Sequence, residues 1–401
     1  MNAPIAKDEL AQVGGESAPA SALLSAAHAA AAEAARHVEQ VDRDASFPHD
    51  AFAVLRTHGL LGAMVPPAFG GPGASLETIA AICRILGAAC SSTGMIYAMH
   101  QIQVACILEH GAGSPWHEAL LARLAGEQLL LASATSEEAI GGALRNSGCA
   151  VNAENERFRL LKMATTISYG AHADGILVTA RRHADAAPSD QVLVCALKPD
   201  YTLQSLNAWD TLGMRGTCSN GFRVEAAGHV EQILPVPFGE IADLTMTPVS
   251  HMLWSAMWIG IAGDALQRAK GFFQGQARAR PGALPPSAAR VAEAVSLLQM
   301  MEGRLEMALA HQRQRRSGQS TQGAFALAAE MNGLKTAVST MALQVVQQAM
   351  LVCGMAGYKH GTPFSLGRHL RDLWSAPLMI NNDRILSNTA GLLLADRSDR
   401  P

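Results

Sequence analysis

Apolar residues change their spacing twice along the chain. From about residue 23 to 127, and again from about 241 to the end, they recur at steps of three and four, which is typical of amphipathic helices. Between about 128 and 240 they form short runs separated by Gly, Asp and Pro, a pattern that indicates β-strands. The predicted helices span residues 24–41, 50–58, 76–89, 93–109, 117–125, 246–279, 286–316, 322–353 and 364–394. The predicted strands include residues 129–132, 175–179, 191–196 and 222–224.

This order of elements predicts an α+β protein. A helical domain would span residues 23–127, a small β-domain (a barrel or a sheet) 128–240, and a four-helix bundle 241–401. Residues 1–22 mix charged side chains with Gly, Ser and Pro, and we expect a disordered tail there. Helices, then a small β-domain, then a helix bundle form an uncommon order. A fold alone does not define a function, so the site residues must do so.

Composition narrows the possible classes of protein. The 401 residues are 49% apolar, 16% charged and 5% aromatic, which predicts helices packed closely through small side chains. A net charge of −3 gives no electrostatic reason to expect nucleic acid or an anionic membrane surface. No stretch reaches the ~18–20 apolar residues of a membrane helix, and the nearest candidate, 252–262, is followed by Asp264 and Arg268. The seven cysteines lie singly, so we expect no metal site, no disulfide framework and a soluble, cytoplasmic protein.

Four segments carry a resemblance to a known family. They read FPHDAFAVLRTHGLLGAMVPPAFGGPGASL at 47–76, LLLASATSEEAIGGA at 129–143, DTLGMRGTCSNGFRVE at 210–225 and GMAGYKHGTPFSLGRHLRDLW at 354–374. In this order they resemble the Val-Pro entry, the flavin loop, the Leu-Gly-Met-Arg-Gly segment and the Arg-Asp helix of the acyl-CoA dehydrogenase superfamily of FAD flavoproteins. The resemblance covers nearly the whole chain and implies that family's fold.

The resemblance implies an FAD site at the rim of the β-domain. Ser136 would stand at the ring edge and Gly142 near the pyrophosphate, unless the glycine pair at 141–142 is only a tight turn. Thr166 and Ser168 would cover one flavin face, which lacks the family's usual tryptophan and is therefore more open. The candidate flavin-binding residues at this rim are Thr135, Ser136, Gly142, Thr166 and Ser168.

The helical bundle would contribute to the same cofactor site. Gly354 belongs to the family's glycine-rich turn, and Arg278 or Arg280 is similar in place to an arginine that reaches FAD across a subunit interface. This implies a homodimer or homotetramer, although an arginine in a Pro/Gly loop is otherwise simply solvated. Ser168 followed by His172 looks closer to the superfamily's flavin-dependent monooxygenases, while His172 itself is expected to be a solvent-side loop residue.

The carboxylate that performs the family's chemistry is missing from the sequence. In acyl-CoA dehydrogenases a glutamate removes the α-proton of the acyl thioester while a hydride leaves for the flavin. Family members carry this glutamate eight residues beyond an Arg-Asp pair, and the count from Arg371-Asp372 arrives at Ile380. A second subgroup places it on the first bundle helix, where this chain has Ser250 followed by His251.

Three explanations stay open at this point. A short insertion would carry Asp383 into the role of base, or His251 would take it, and the protein would remain an acyl-CoA α,β-dehydrogenase that passes electrons to an electron-transfer flavoprotein. Alternatively, the flavin reacts with O₂ in a site from which Met379 and Ile380 exclude water. The third explanation is a non-catalytic module that binds flavin or acyl-CoA. The sequence favours an atypical, oxygenase-like FAD oxidoreductase acting on an acyl-CoA or carrier-bound acyl thioester.

Several residues are candidates for binding that thioester. Ser250 and Met379 would border the acyl group, and Arg215, with Asp210 beside it, would contact the carrier. A basic cluster at Arg313, Arg315 and Arg316 would hold the phosphates of CoA, or it is a solvated helix end.

Overall fold

The chain folds into a helical part, a part built on two sheets, and a second helical part. The computed structural model describes residues 18–138, 144–320 and 323–395. Its first helices are α1 (Ala18–Asp44), α2 (His49–Thr57), α3 (Leu76–Ala89), α4 (Ser91–His110) and α5 (Pro115–Glu127). The strands are β1 (Leu131–Ala134), β2 (Asn152–Glu154), β3 (Arg157–Ala164), β4 (Gly175–Arg181), β5 (Gln191–Leu197), β6 (Tyr201–Ser205) and β7 (Phe222–His229). The later helices are α6 (Phe238–Ile241), α7 (Thr247–Ala279), α8 (Ala288–Arg316), α9 (Ala324–Cys353), α10 (Met355–Tyr358), α11 (Gly367–Leu373), α12 (Ser375–Leu378) and α13 (Asn382–Ala395).

The N-terminal helices enclose α4, which is buried around nearly its whole circumference. The alanine-rich α1 packs on α2 and α3 through small side chains. It begins at Ala18, within the segment that the sequence assigned to the tail. Helix α3 spans the predicted residues because Ser75 caps it, accepting a 3.2 Å hydrogen bond from the Thr78 amide.

The strands form two separate sheets. One has the order β1-β4-β5, with β1 parallel to β4, and the other is antiparallel with the order β2-β3-β7-β6. Strands β4 and β5 are buried along nearly their whole length, whereas β3 alternates exposed and buried residues. Strands β2, β3 and β6 are not among the strands named from the sequence, and in β3 charged residues alternate with apolar ones.

Helices α7, α8, α9 and α13 form the C-terminal bundle, and α7 also packs against α3. The predicted continuous helix over 364–394 is wrong, because the chain forms three helices there instead. Ile380, between α12 and α13, has φ of 49°. This is a left-handed conformation that a β-branched residue rarely adopts, at a cost of about 1–3 kcal/mol. A left-handed residue cannot continue an α-helix, so the helix ends there.

Helix α9 corrects the expectation that no stretch of the chain is apolar enough to cross a membrane. Among the described residues it is long and apolar enough to cross a membrane by length and composition, with 56% of its most apolar window buried inside the protein. It carries the fully buried Lys335 and packs against α7, α8 and α13, as the core helix of a bundle does. The low charge density of this window therefore reflects burial within the bundle.

Charged contacts join all three parts at one junction. Asp42, at the end of α1, pairs through both carboxylate oxygens with Arg371 of α11, the longer contact being 3.0 Å. The Asp42 carbonyl accepts a 2.7 Å hydrogen bond from Arg215 of the sheet part. Asp372, the neighbour of Arg371, accepts a 2.7 Å hydrogen bond from the Met214 amide. The N-terminal helices, the sheets and the last helices thus share one set of polar contacts.

Candidate functional site

Two hydroxyls meet where β1 and β3 end. The Ser136 hydroxyl donates to the Thr166 carbonyl at 2.9 Å and accepts from the Thr166 amide at 3.1 Å. The two side-chain oxygens lie 3.2 Å apart. Ser136 is partly buried and Thr166 is exposed, so this pair, the hydroxyl corner, presents polar atoms on the rim of the sheets. Thr135, also predicted for the site, precedes the corner and is partly buried.

A buried ion pair lies directly behind the hydroxyl corner. The Glu137 carboxylate accepts hydrogen bonds from Lys162 Nζ at 2.6 Å, from the Ser147 hydroxyl at 2.5 Å and from the Gly148 amide at 2.8 Å. Lys162, fully buried, also donates to the Thr179 carbonyl at 2.7 Å. Burial opposes ionisation of Glu137, but the bonds from Lys162 and Ser147 outweigh it and lower the pKa of that carboxyl.

Sequence reasoning missed Glu137 and Lys162. The only available signal was the alternation of β3, which places Lys162 on the same buried face as Phe158 and Leu160. A lysine at such a position requires a partner, because an unpaired buried ammonium is very costly.

A second chain of hydroxyls begins at Ser168. Its Oγ lies 2.8 Å from Ser219 Oγ, which lies 2.8 Å from Thr217 Oγ1, and Thr217 donates to the Met214 carbonyl at 2.8 Å. Ser219 and Thr217 are buried while Ser168 is partly exposed. Because the chain ends on a backbone carbonyl, it orders the three hydroxyls relative to one another.

His172 is not the solvent-side loop residue that the sequence predicted. Its ring is partly buried and stacks on Phe47, with centroids 4.4 Å apart, and the edge of His49 lies at 5.1 Å. Burial lowers the pKa of His172, and the neighbouring His49 and Lys198 lower it further. The aromatic contact with Phe47 explains the position, since α2 packs over this loop.

The two positions that the sequence assigned to the family's base hold no carboxylate. Ile380 occupies the break between α12 and α13 with its side chain 45% exposed, and Met379 beside it packs partly against the core. Ser250 is buried, and its hydroxyl donates to the Met246 carbonyl at 2.5 Å. His251 is buried and its Nδ1 donates to the Met331 carbonyl at 3.0 Å.

His251 is a neutral imidazole. Burial lowers its pKa to about 4, the carbonyl of Met331 opposes that shift, and the charge of Lys335 adds to it. Lys335 lies one helical turn beyond Met331 on α9 and donates to the Ile380 carbonyl at 2.7 Å. The two candidate base positions, His251 and Ile380, therefore contact neighbouring turns of α9.

The displaced-base residue Asp383 lies in the first turn of α13. Its side chain is exposed, and its amide donates to Asn381 Oδ1 at 2.8 Å. This places Asp383 as a residue of a helix N-terminus, and a role as base stays a prediction.

The arginines predicted to bind substrate are engaged within the chain. Arg215 donates to Thr211 O at 2.9 Å besides its bond to Asp42, and it lies 3.1 Å from Asp210. It lines a cavity of ≈ 600 Å³ together with Arg371, His360 and other residues of the junction. A role for Arg215 in substrate binding stays a prediction.

The basic cluster at the end of α8 joins other helices. Arg313 pairs with Glu77 of α3 at 2.8 Å, and Arg316 pairs with Glu109 of α4 at 2.7 Å. Arg315 donates to the Leu244 carbonyl at 2.9 Å. Arg313 and Arg316 stay exposed, as residues of a solvated helix end are, and a phosphate site here stays a prediction.

The remaining predicted flavin residues lie apart from the corner in sequence. Arg278 and Arg280 are exposed at the end of α7, and their role across a subunit interface stays a prediction. Gly354, between α9 and α10, has φ of 53°, with no heavy atom within 4 Å of the place of a Cβ. Gly142 lies outside the described residues.

Besides His251, the structure buries His100, which sequence reasoning missed. Its Nε2 donates to the Leu61 carbonyl at 2.8 Å, and its Nδ1 accepts from the Leu131 amide at 3.0 Å. Burial lowers its pKa to about 4, against a small opposing effect of the Leu61 carbonyl. These two contacts fix the neutral tautomer and join α4 to the first residue of β1.

The groups around the hydroxyl corner fit a flavin. The ring edge of a flavin needs hydrogen-bond donors and acceptors, and the exposed Thr166 hydroxyl offers both beside Ser136. The open left-handed turn at Gly354 is a conformation in which glycine is favoured, and it leaves room for a ligand at the backbone.

Comparison with known proteins agrees with this geometry. Residues 20–128 match the family model described as acyl-CoA dehydrogenase, N-terminal domain. The amino sugar nitrososynthase DnmZ of Streptomyces peucetius is 26% identical over 355 residues, which are 84% of this chain and 84% of that protein.

Solved structures share the architecture. FMN-bound TdsC from Paenibacillus sp. A11-2, a dibenzothiophene monooxygenase, superposes with a TM-score of 0.82 at 18% identity, covering 94% of this chain and 98% of that one. Butyryl-CoA dehydrogenase from Megasphaera elsdenii superposes with a TM-score of 0.80 at 18% identity, covering 95% and 99%.

Helices, two small sheets and a helix bundle, with a polar rim suited to a flavin, define the acyl-CoA dehydrogenase fold. The chain has this fold, and its residues 20–128 match the N-terminal domain of the acyl-CoA dehydrogenase family. The fold and the resemblance inferred from the four sequence segments are therefore confirmed.

Proposed function

We propose that the protein is a flavin-dependent monooxygenase. The observation that carries this proposal is Ile380, the residue at which the count from Arg371-Asp372 arrives when the position of the dehydrogenases' catalytic glutamate is sought. Ser250, at the alternative position, is also not an acid, and the buried His251 with a pKa of about 4 is a weak base. Proton abstraction from a thioester therefore lacks a suitable group at either place. The similarity to DnmZ over most of both chains supports the same branch.

Different residues of the chain would have different roles around the cofactor. When bound, a reduced flavin supplies two electrons to O₂, so that one oxygen atom enters the substrate and the other leaves as water. Ser136 and Thr166 would hold the polar edge of the ring. The Ser168 hydroxyl, oriented by Ser219, would offer a polar contact, and the apolar Met379 and Ile380 would exclude water once the cofactor and substrate cover them.

The proposal also concerns which flavin and which class of substrate the protein binds. The sequence resemblance implies FAD, whereas the TdsC structure contains FMN. The acyl thioester implied by the resemblance has little support at the arginines, since Arg215, Arg313 and Arg316 are paired within the chain. A small amine or sulfur compound would not need such arginines, and the names of DnmZ and of dibenzothiophene monooxygenase indicate substrates of these kinds for those proteins.

The test begins with the full chain and both flavins. Titration with FMN and FAD, followed by flavin fluorescence, should give saturable binding of at least one of them. Reduced flavin is then supplied under ¹⁸O₂ with a panel of amino sugar nucleotides, thiophenes and acyl-CoAs, and mass spectrometry should find one labelled atom in a product.

Two outcomes contradict the proposal. Anaerobic bleaching of the bound flavin by an acyl-CoA, with an enoyl-CoA product, would return the protein to the dehydrogenases. Flavin binding with no turnover of any class, by reduced or oxidised flavin, would support a non-catalytic module.

A further inference from the structure

Lys335 stands at the break that sets the position of Ile380. The ammonium group is fully buried, and it donates to the Ile380 carbonyl and to Asn382 Oδ1, each at 2.7 Å. It also lies 5.9 Å from the centroid of the Trp258 ring, within the range of a cation–π contact. One side chain of α9 therefore contacts both sides of the left-handed turn between α12 and α13.

A second residue of α9 completes this contact. Ser339, one helical turn beyond Lys335, accepts from Asn382 Nδ2 at 3.0 Å, and its hydroxyl lies 3.3 Å from Asn382 Oδ1. Asn382 is thus fixed at both ends of its amide. The contacts hold the first residue of α13 as well as the strained peptide before it.

The burial of Lys335 is costly, which argues that the position serves a purpose. Desolvation lowers its pKa to about 8, and no carboxylate among the described residues offsets this. Its charge also disfavours protonation of His251 on α7, which contacts Met331, one turn before Lys335 on α9. A leucine or methionine would fill a bundle core without these penalties.

We infer that Lys335 is a positioning residue whose ammonium holds the Ile380 peptide in its left-handed turn and so fixes where Met379 and Ile380 stand in the site. The backbone part of this inference is independent of the reaction. Its consequence for catalysis rests on the proposed function, in which these two side chains exclude water.

The first test needs neither flavin nor substrate. Amide hydrogen exchange of the full chain is compared among wild type, Lys335→Met and the exposed-lysine control Lys359→Met. We expect residues 379–383 to exchange about tenfold faster or more in Lys335→Met, because hydrogen bonds from a charged donor are lost. Exchange in α11 should stay the same, and Lys359→Met should resemble wild type.

Two further variants separate positioning from general loss of structure. Asn382→Ala removes one of the two acceptors and should speed exchange at the same residues by a smaller factor. Ile380→Gly relieves the left-handed strain, so adding it to Lys335→Met should recover part of the lost protection. Unchanged exchange at 379–383 in Lys335→Met, or a uniform rise throughout α9 and α13, would overturn the inference.

The catalytic consequence is measured separately. With reduced flavin and O₂, Lys335→Met should form less product per flavin consumed and more hydrogen peroxide, while Lys335→Arg, which keeps the charge and the donors, should retain more of the coupling. Equal coupling in Lys335→Met and wild type would limit Lys335 to backbone geometry and overturn its role in the site. Absence of turnover in wild type would contradict the proposed function, and the exchange result would still decide the positioning role.

Discussion

Glu137 and Lys162 form a buried ion pair, 2.6 Å long, directly behind the contact between Ser136 and Thr166. Each residue of the pair lies close in sequence to one residue of the hydroxyl corner. Glu137 follows Ser136, and Lys162 belongs to the strand that leads to Thr166. The pair therefore fixes the distance between the two chain segments that carry the predicted flavin contacts.

Replacement of Glu137 by glutamine should destabilise the protein strongly. The change leaves the Lys162 ammonium buried without a counter-charge, which costs about 3–5 kcal/mol in comparable buried pairs. Chemical unfolding of Glu137→Gln, set against the exposed neighbour Glu138→Gln, measures this cost. The double variant Glu137→Gln/Lys162→Met should be more stable than the single one, and equal losses at 137 and 138 would refute the role of the pair.

Thr166 offers a sharper test of the flavin site. Thr166→Val removes the hydroxyl while keeping the shape of the side chain and the backbone contacts with Ser136. Loss of one hydrogen bond, worth about 1 kcal/mol, should weaken flavin binding about fivefold. The adjacent exposed residue provides the control, and fluorescence titration of Thr165→Val should match wild type. If both variants bind flavin as wild type does, the ring edge does not lie at this corner.

A carboxylate placed at position 380 should impair oxygenation. Ile380→Glu restores the residue type of the dehydrogenases, but it introduces a charge and its bound water beside the proposed reaction site. We expect less product per reduced flavin and more hydrogen peroxide, whereas Ile380→Leu should keep most of the coupling. A gain of acyl-CoA desaturation in Ile380→Glu, at the rate of a dehydrogenase, would instead indicate that only the base had been lost.

Three buried histidines should make stability depend on acid pH. His100, His117 and His251 have folded-state pKa values of about 4, against 6.5 for a free imidazole, so the unfolded state binds more protons between these values. Stability is then lost as pH falls from about 6.5 towards 4, by up to roughly 3 kcal/mol for each histidine. Unfolding free energies measured at pH 7, 5.5 and 4.5 should show a shallower loss in His251→Gln than in wild type. An identical slope in the variant would mean that His251 is not buried as a neutral group.

The sequence predicted the helices more accurately than the strands. The bounds of α3 follow from its apolar spacing and from Ser75 as its cap, both of which are local properties. The burial of Lys162 in strand β3 was missed, because apolar spacing does not indicate an inward lysine and its partner Glu137 is distant in sequence. The break at Ile380 was also missed, since apolar residues continue on both sides of it and spacing carries no information about a left-handed peptide.

The candidate site was predicted only in part, because some of its contacts depend on tertiary packing. Resemblance identified Ser136 and Thr166, which lie 30 residues apart and do meet. Nothing in the apolar stretch 322–353 distinguished Lys335 from a lysine on an exposed helix face. Its importance depends on the packing of α9 against α7 and α13, which is tertiary information.

The pairing of Asp42 with Arg371 has a consequence for how the chain reaches its final state. These residues are 329 positions apart, so α1 leaves the ribosome long before its partner is made. The N-terminal helices can collapse early, but their junction with the sheets and the last helices must wait until nearly the whole chain has been synthesised. A nascent chain stalled before residue 371 should therefore remain open to proteases at the end of α1, although every residue of that helix is already present.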